Sequence, residues 1–507
     1  MSSPIARRSA FAVSVGATVI AVAVAIDTVA ASNVAAGLGD ERAITVPTWL
    51  TLLTGAGAVG ASALLAALVT DRRVIDALHD WELSLALESA RSQRDSDAEQ
   101  STAVPTPPRW LVVGSAVGSV LGLLALGAVV FVGLEGPTMG TANFAVLLSF
   151  VGLRAVLPTI AFLLVDPWPT VDPFRTLANG VSALLERVRG SRSPTERRRT
   201  LSTAGLFAYP SRLRSWPAVI GLAALVWLEL VLPVTTNPQL LAALALGYAG
   251  YVLVGSVLFS PAAWIRHADP LSTLFRLYGA VAPIQRRDGA FRLVVPGSRL
   301  RNGDVVTDAS EIAFVVLLVW ELTFNGFVVT PPGAHTIEAL VGSGLPAPAA
   351  YLLVLAGGYA LALGLYALAT RASRRLAPTY LAERLLARRF APPLLAIAAG
   401  YHLAHYVGFA ISLAPATLDA AANPLSPPVN PTTLALPGWM GTLEIVMLLA
   451  GHLLAIWAAH AVAYDVFPGR LQAVRSQYPF LALMVVYTAV SLWLLTMPTT
   501  QPPYVAG

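Results

Sequence analysis

Four of the seven histidines fall in two late apolar stretches: His402 and His405 in one, His452 and His460 in the other. Neutral imidazole is a ligand for haem iron, copper or zinc, so histidines facing each other across two helices could bracket a haem or bind a transition metal. His402 and His405 are spaced i, i+3 and share a helix face. At 1.5 Å per residue they lie near the middle of their stretch, as His452 does in the next. His460 lies about 12 Å further along and roughly 80° around the helix. The cofactor candidates are therefore His402, His405 and His452, with His460 and Glu444 as further metal ligands. The bland alternative is polar packing, each ring bonded to a backbone carbonyl, another histidine or Glu444.

Three carboxylates also interrupt apolar stretches: Glu229, Glu321 and Glu444. Their convergence would make a polar path for a cation or protons, or supply oxygen ligands. Glu444 and His452 are two turns apart on one helix, which would extend such a path. Arg154, in Val151-Gly152-Leu153-Arg154-Ala155, is the lone base of its stretch and too deep to snorkel. It is expected to counter one of the glutamates or to bind an anion. The alternative for each glutamate is a local bond to a Trp, Tyr or Asn such as Asn325. His79, His267 and His335 occur in loops and are given no role.

The elements that must position these residues are membrane helices. Of 507 residues, 56% are apolar and 12% charged, against about 25% charged in a soluble domain. A span needs about 20 apolar residues, because every backbone polar group must bond within its own segment. That length selects 11–31, 49–69, 110–132, 144–165, 216–232, 240–259, 312–329, 350–369, 393–413, 440–463 and 480–495. The fold class is all-α, a polytopic transmembrane bundle of ten or eleven spans. Abundant Gly and Ala favour close helix contacts.

The loops test this assignment. All 33 basic residues are arginine. Arg7 and Arg8 precede the first stretch, and only Arg42 follows it. Then arginine-rich and arginine-free connections alternate to the end of the chain: 70–109 rich, 135–143 free, 166–215 rich, 233–239 free, 266–301 rich, 331–345 free, 371–389 rich, 415–438 free, 470–475 basic and the tail free. The positive-inside rule places the basic loops in the cytoplasm and the C-terminus outside. Residues 1–32 read as a signal peptide or a first anchor, and 33–507 as the bundle. The basic charge thus belongs to membrane topology, and no nucleic-acid partner is implied.

Soluble parts are small. Residues 74–90 could form an amphipathic helix, 91–108 a polar linker, and 187–199 a Ser/Arg-rich mobile loop. Short alternating pieces at 291–295 and 305–306 predict a hairpin. Trp49, Trp110, Trp216 and Trp493 suit the aromatic belts, and Arg475 and Tyr478 the interface. With no cysteine, disulfides, thiolate chemistry and iron–sulfur clusters are excluded. There is no phosphate loop, dinucleotide fingerprint, His-Glu-x-x-His or nucleophile elbow.

Several segments resemble a family of multipass membrane proteins of actinobacteria and related organisms that carry the label fenitrothion hydrolase. They are ITVPTWL (44–50), Asp166-Pro167-Trp168, Asp172-Pro173-Phe174-Arg175, SWPAVIGLAALVWLELVLP (215–233), Thr323-Phe324-Asn325-Gly326-Phe327, HLAHY, GHLLAIWAAH and RSQYPFLALMVVYTAVSLWLL (475–495). The likeness runs from about residue 44 to 495, and its C-terminal segments are the most specific. It implies the same topology and makes His402, His405, His452, His460, Glu229 and Glu444 family-typical candidates. Hydrolysis, as the label has it, would need an activated water, often at a metal centre. Phe174 stands where the pattern more often has tryptophan, and the early region with the 91–108 linker departs from it.

Four functions follow from these residues. The leading one is a transporter or metal-handling permease whose path is lined by Arg154, Glu229, Glu321, Glu444 and the histidines, with a small ion or metal as its cargo. The others are a membrane redox protein carrying haem or copper, a metal-dependent hydrolase, and a structural subunit whose polar residues join helices.

Overall fold

The computed structural model describes residues 48–84, 109–188, 205–287 and 290–505. The first expected span, the 91–108 linker and most of the 187–199 loop lie outside these residues.

Helices dominate. In chain order they are α1 (Thr48–Leu68), α2 (Arg72–His79), α3 (Arg109–Glu135), α4 (Phe144–Leu163), α5 (Trp168–Val171), α6 (Pro173–Val188), α7 (Trp216–Val231), α8 (Pro238–Phe259), α9 (Pro261–His267) and α10 (Pro270–Tyr278). They continue as α11 (Ala309–Val328), α12 (Pro331–Gly342), α13 (Ala347–Leu376), α14 (Glu383–Phe390), α15 (Leu394–Ala422), α16 (Met440–Val466) and α17 (Arg470–Thr496). Among the described residues, eight helices are long and apolar enough to cross a membrane, or nine if α1 and α2, bent by 116°, form one broken span. The expected count of ten or eleven is therefore not reached by that measure. The helix expected at 216–232 is present but has only 16 residues. It stops at Leu232, which is extended (φ −102°, ψ 142°) because Pro233 follows and disfavours helix in the residue before it.

The bundle is apolar outside and polar within. Val113, Val117, Leu121, Leu124 and Phe131 of α3 and Leu353, Leu361 and Leu368 of α13 point outward, while Glu321, His402, His452 and His460 are buried. A water-facing surface would reverse that order. α15 and α16 make the most extensive helix pair. They cross at Gly400 and Gly451, where a Cβ on Gly400 would lie 2.6 Å from the Met447 carbonyl and one on Gly451 would lie 2.5 Å from the Ala396 carbonyl. Only glycine permits this approach.

A small cap closes the arginine-rich face. β1 (Glu82–Ser84), β2 (Ile284–Arg287) and β3 (Ala290–Val294) form an antiparallel sheet in the order β1-β3-β2. Leu83 stands opposite Leu293, and Ile284 opposite the same residue on the other side. The strand expected at 291–295 is thus present, but its partners are β2 and β1. Val305 and Val306 are buried core residues outside the sheet. The amphipathic helix expected over 74–90 ends at His79 and gives way to β1. Its start is fixed by Asp71, whose carboxylate accepts from the Arg73 N–H. Arg301 ties the cap to the bundle, bonding Asp76 at 2.7 Å and Asp465 at 2.5 Å.

Candidate functional site

Arg154 owes its position to an irregularity in α4. Residues Leu148–Val156 form a π-helical segment in which the Leu157 N–H bonds the Gly152 carbonyl, five residues back. Pro158 supplies a physical reason. It has no N–H for the carbonyl of Arg154, and its ring crowds that carbonyl, so the α ladder cannot run through. Such segments recur at functional sites.

The turn brings Arg154 against two carboxylates from two other helices. Its Nε lies 3.0 Å from Glu229 Oε1 on α7, and its Nη2 lies 3.2 Å from Glu321 Oε2 on α11. The Glu229 contact is an ion pair by distance, but the Nε–H points off the carboxylate, and the true hydrogen bond goes to Glu321. Asn325, one turn along α11, donates to Glu321 Oε2 at 3.1 Å. The guanidinium also lies over the ring of Tyr406 on α15, 5.3 Å from its centroid. Glu321 is 3% exposed, whereas Glu229 at 24% and Arg154 at 20% both reach the protein surface in part.

The balance of this cluster is uneven, with two carboxylates to one guanidinium. Removing charges from water is costly unless they are paired, so a second carboxylate without a second cation is the notable feature. Two carboxylates against one guanidinium leave room for one more positive charge, a proton or a cation.

His402 joins the cluster through Tyr406, on which its ring stacks at 4.4 Å. Phe162 and Tyr278 pack against its other sides. Among the described residues the Tyr278 hydroxyl is buried with no hydrogen-bond partner, and the His402 ring faces the Ala155 backbone, with Nε2 making no well-aligned bond. His405 turns differently: its Nδ1 meets the Tyr401 carbonyl at 3.1 Å, and its Nε2 faces Gly326 on α11. His452 bonds the Leu448 carbonyl through Nδ1 at 2.9 Å and lies near Tyr487, whose hydroxyl pairs with Thr323 and the Val319 carbonyl. Glu444 places Oε1 against Gly408 of α15.

The expected metal set is not assembled. Among the described residues, no group of three or more His, Asp or Glu could hold a metal ion. His460 has both ring nitrogens engaged, Nδ1 with Gln477 Oε1 at 3.1 Å and Nε2 with the Val69 carbonyl at 2.8 Å. That joins α16, α17 and the end of α1, which is polar packing. Each of His402, His405 and His452 turns to a different neighbour, so the shared face of the first pair does not become a shared ligand site. Of the four residues expected along a polar path, Arg154, Glu229 and Glu321 meet directly.

Tyr406 and Tyr278 were not singled out from sequence. The signal for Tyr406 was its i+4 spacing from His402, which predicts stacking on a helix. Comparison with known protein families, curated proteins and solved structures gave no match.

Proposed function

We propose that this multipass membrane protein is a transporter that moves a small solute together with protons or a monovalent cation, with Arg154, Glu229 and Glu321 as its charge-balancing centre. The observation that carries this reading is the pair of carboxylates facing a single arginine inside the bundle. With both carboxylates ionised the centre bears one net negative charge in a medium of low polarity, and one bound proton or cation neutralises it. Partial exposure of Glu229 offers that ion a way in, while Tyr406 and Asn325 hold the arginine and Glu321 in place when the charge changes. The arginine-rich loops and cap then face the cytoplasm. Kinship with the fenitrothion hydrolase-labelled family belongs to this proposal, without the label's chemistry, because among the described residues no set that would activate a metal-bound water gathers.

Proteoliposomes holding a pH-sensitive dye test the reading. Under an imposed pH gradient, wild-type protein should pass protons in the presence of a transported solute, and E229Q and E321Q should abolish the flux. Undiminished flux in E321Q, or flux equal to empty liposomes across a panel of ions and small solutes, overturns it.

A further inference from the structure

A second site of different character opens on the arginine-rich face. A cleft of about 530 Å³ lies between α5, α6, α9 and α10, the short helices that link spans on that side. Arg175, Arg266 and Arg276 line it together with Asn179, Asp166 and Trp168. The Trp168 ring is fixed as its floor, stacked on Phe275 at 4.7 Å with Nε1 bonded to Ser272.

The three guanidiniums have too few counter-charges. Arg266 Nη1 and Arg276 Nη2 share one oxygen, Glu311 Oε1, at 2.7 and 2.8 Å. Glu311 is buried at the start of α11 and is engaged further by the Thr307 N–H and hydroxyl. Arg175 has Asp172 at 3.4 Å. Three positive charges therefore meet two dedicated carboxylates. The Arg276 Nε–H is buried with no partner among the described residues. Burial, with Arg266 and Arg299 nearby, brings the Arg276 guanidinium down to about 10. Asp166, which also lines the cleft, supplies only part of a third counter-charge near neutral pH, since burial pushes its carboxyl up to about 7.

We propose that this cleft binds a phosphate-type oxyanion, held by Arg175, Arg266 and Arg276 with Asn179 at its rim. Planar guanidiniums in a cluster are the side chains best suited to phosphate oxygens. The anion would supply the missing counter-charge and an acceptor for the crowded N–H groups. Two sources carry the same chemistry, the headgroup of an anionic lipid and a soluble phosphate. This inference does not depend on the Arg154 centre, whose residues belong to α4, α7 and α11.

The experiment uses the full chain. Inorganic phosphate is titrated calorimetrically into protein held in phosphatidylcholine nanodiscs, and phosphatidylglycerol retained by protein extracted in detergent is counted by native mass spectrometry. Two variants leave the Glu311 pair intact. R175Q removes an outer guanidinium while Asp172 keeps its bonds from the Arg175 N–H and from Ser272, and N179E places a negative charge on an exposed rim position. Binding of phosphate indicates the soluble source, and retention of phosphatidylglycerol alone indicates the headgroup. In either case both variants should weaken binding by about tenfold, as loss of a charge-assisted bond does, with unchanged circular dichroism in both and unchanged melting in N179E, whose position is exposed. Absence of both ligands, or equal binding across wild type and variants, overturns the proposal.

Discussion

Gly400 and Gly451 meet backbone to backbone where the two histidine-bearing helices cross, each occupying the space a side chain on the other would need. The crossing sets the depth and facing of His402, two residues on, and of His452, next to Gly451. G400A and G451A should each destabilise the protein by about 1–3 kcal/mol, the usual cost of overpacking, because the obstructing atoms are backbone. Thermal unfolding in detergent measures this, and unaltered melting in both variants would show that the helices separate freely.

Arg154 and its two carboxylates make a sharper test. R154M leaves the buried Glu321 without its cation beside a part-exposed Glu229, which should cost about 3 kcal/mol, the lower end of what breaking a buried pair costs. The triple variant R154M/E229Q/E321Q, neutral throughout, should recover most of that stability. Flux should not return with it. A triple variant that transports like wild type would show the ion cluster to be structural.

His460 bridges three helices through both ring nitrogens. H460A strands the Val69 carbonyl and the Gln477 Oε1, while the Gln477 NH2 keeps the Ala473 carbonyl, so a loss of about 1–3 kcal/mol is expected. Metal content by mass spectrometry should be the same in H460A and wild type. A stoichiometric metal in wild type that H460A loses would return this histidine to the ligand set.

Asp166 gives the pH dependence. Its carboxyl lies between α4 and α5, and burial, the largest influence, raises it to about 7 against the Trp168 N–H and against Arg175, Arg299 and Arg276. A carboxyl raised in the folded state binds more protons there than in the unfolded chain. The stability it contributes is present at low pH and is lost as pH rises toward 7. Melting should therefore fall from pH 5 to pH 8, and D166N should flatten that decline. The flattening will be partial, because burial also raises Asp269, to about 6. Equal slopes for wild type and D166N would contradict this.

The sequence made much of this centre legible, and for a physical reason. A buried arginine has few acceptable partners, so the expectation that Arg154 counters a glutamate was strongly constrained, and the structure supplies two. The histidines were harder. Periodicity gives the angle between His402 and His405 but not which helix stands opposite each ring, and the pair divides between Tyr278 and Gly326. Three-residue β1 carries no periodic signal at all, and its partner β3 lies more than 200 residues away, so the third strand could not be foreseen. Pro158 was visible, but whether a proline kinks, ends or widens a helix depends on the helices packed around it.

The widened turn in α4 has a consequence for how this chain can change over time. A π segment is an α-helix carrying a surplus residue, held within one local stretch. Deleting one residue between Leu148 and Leu153 would discharge the surplus, leaving the two ends of α4 facing as before and re-aiming the residues inside the widened stretch, Arg154 among them. The aim of the guanidinium at its carboxylates would change without a single charged residue having been replaced. Relatives that have lost or gained this residue would differ in what their centre holds, and a change in length, rather than in residue type, is the mark by which to recognise them.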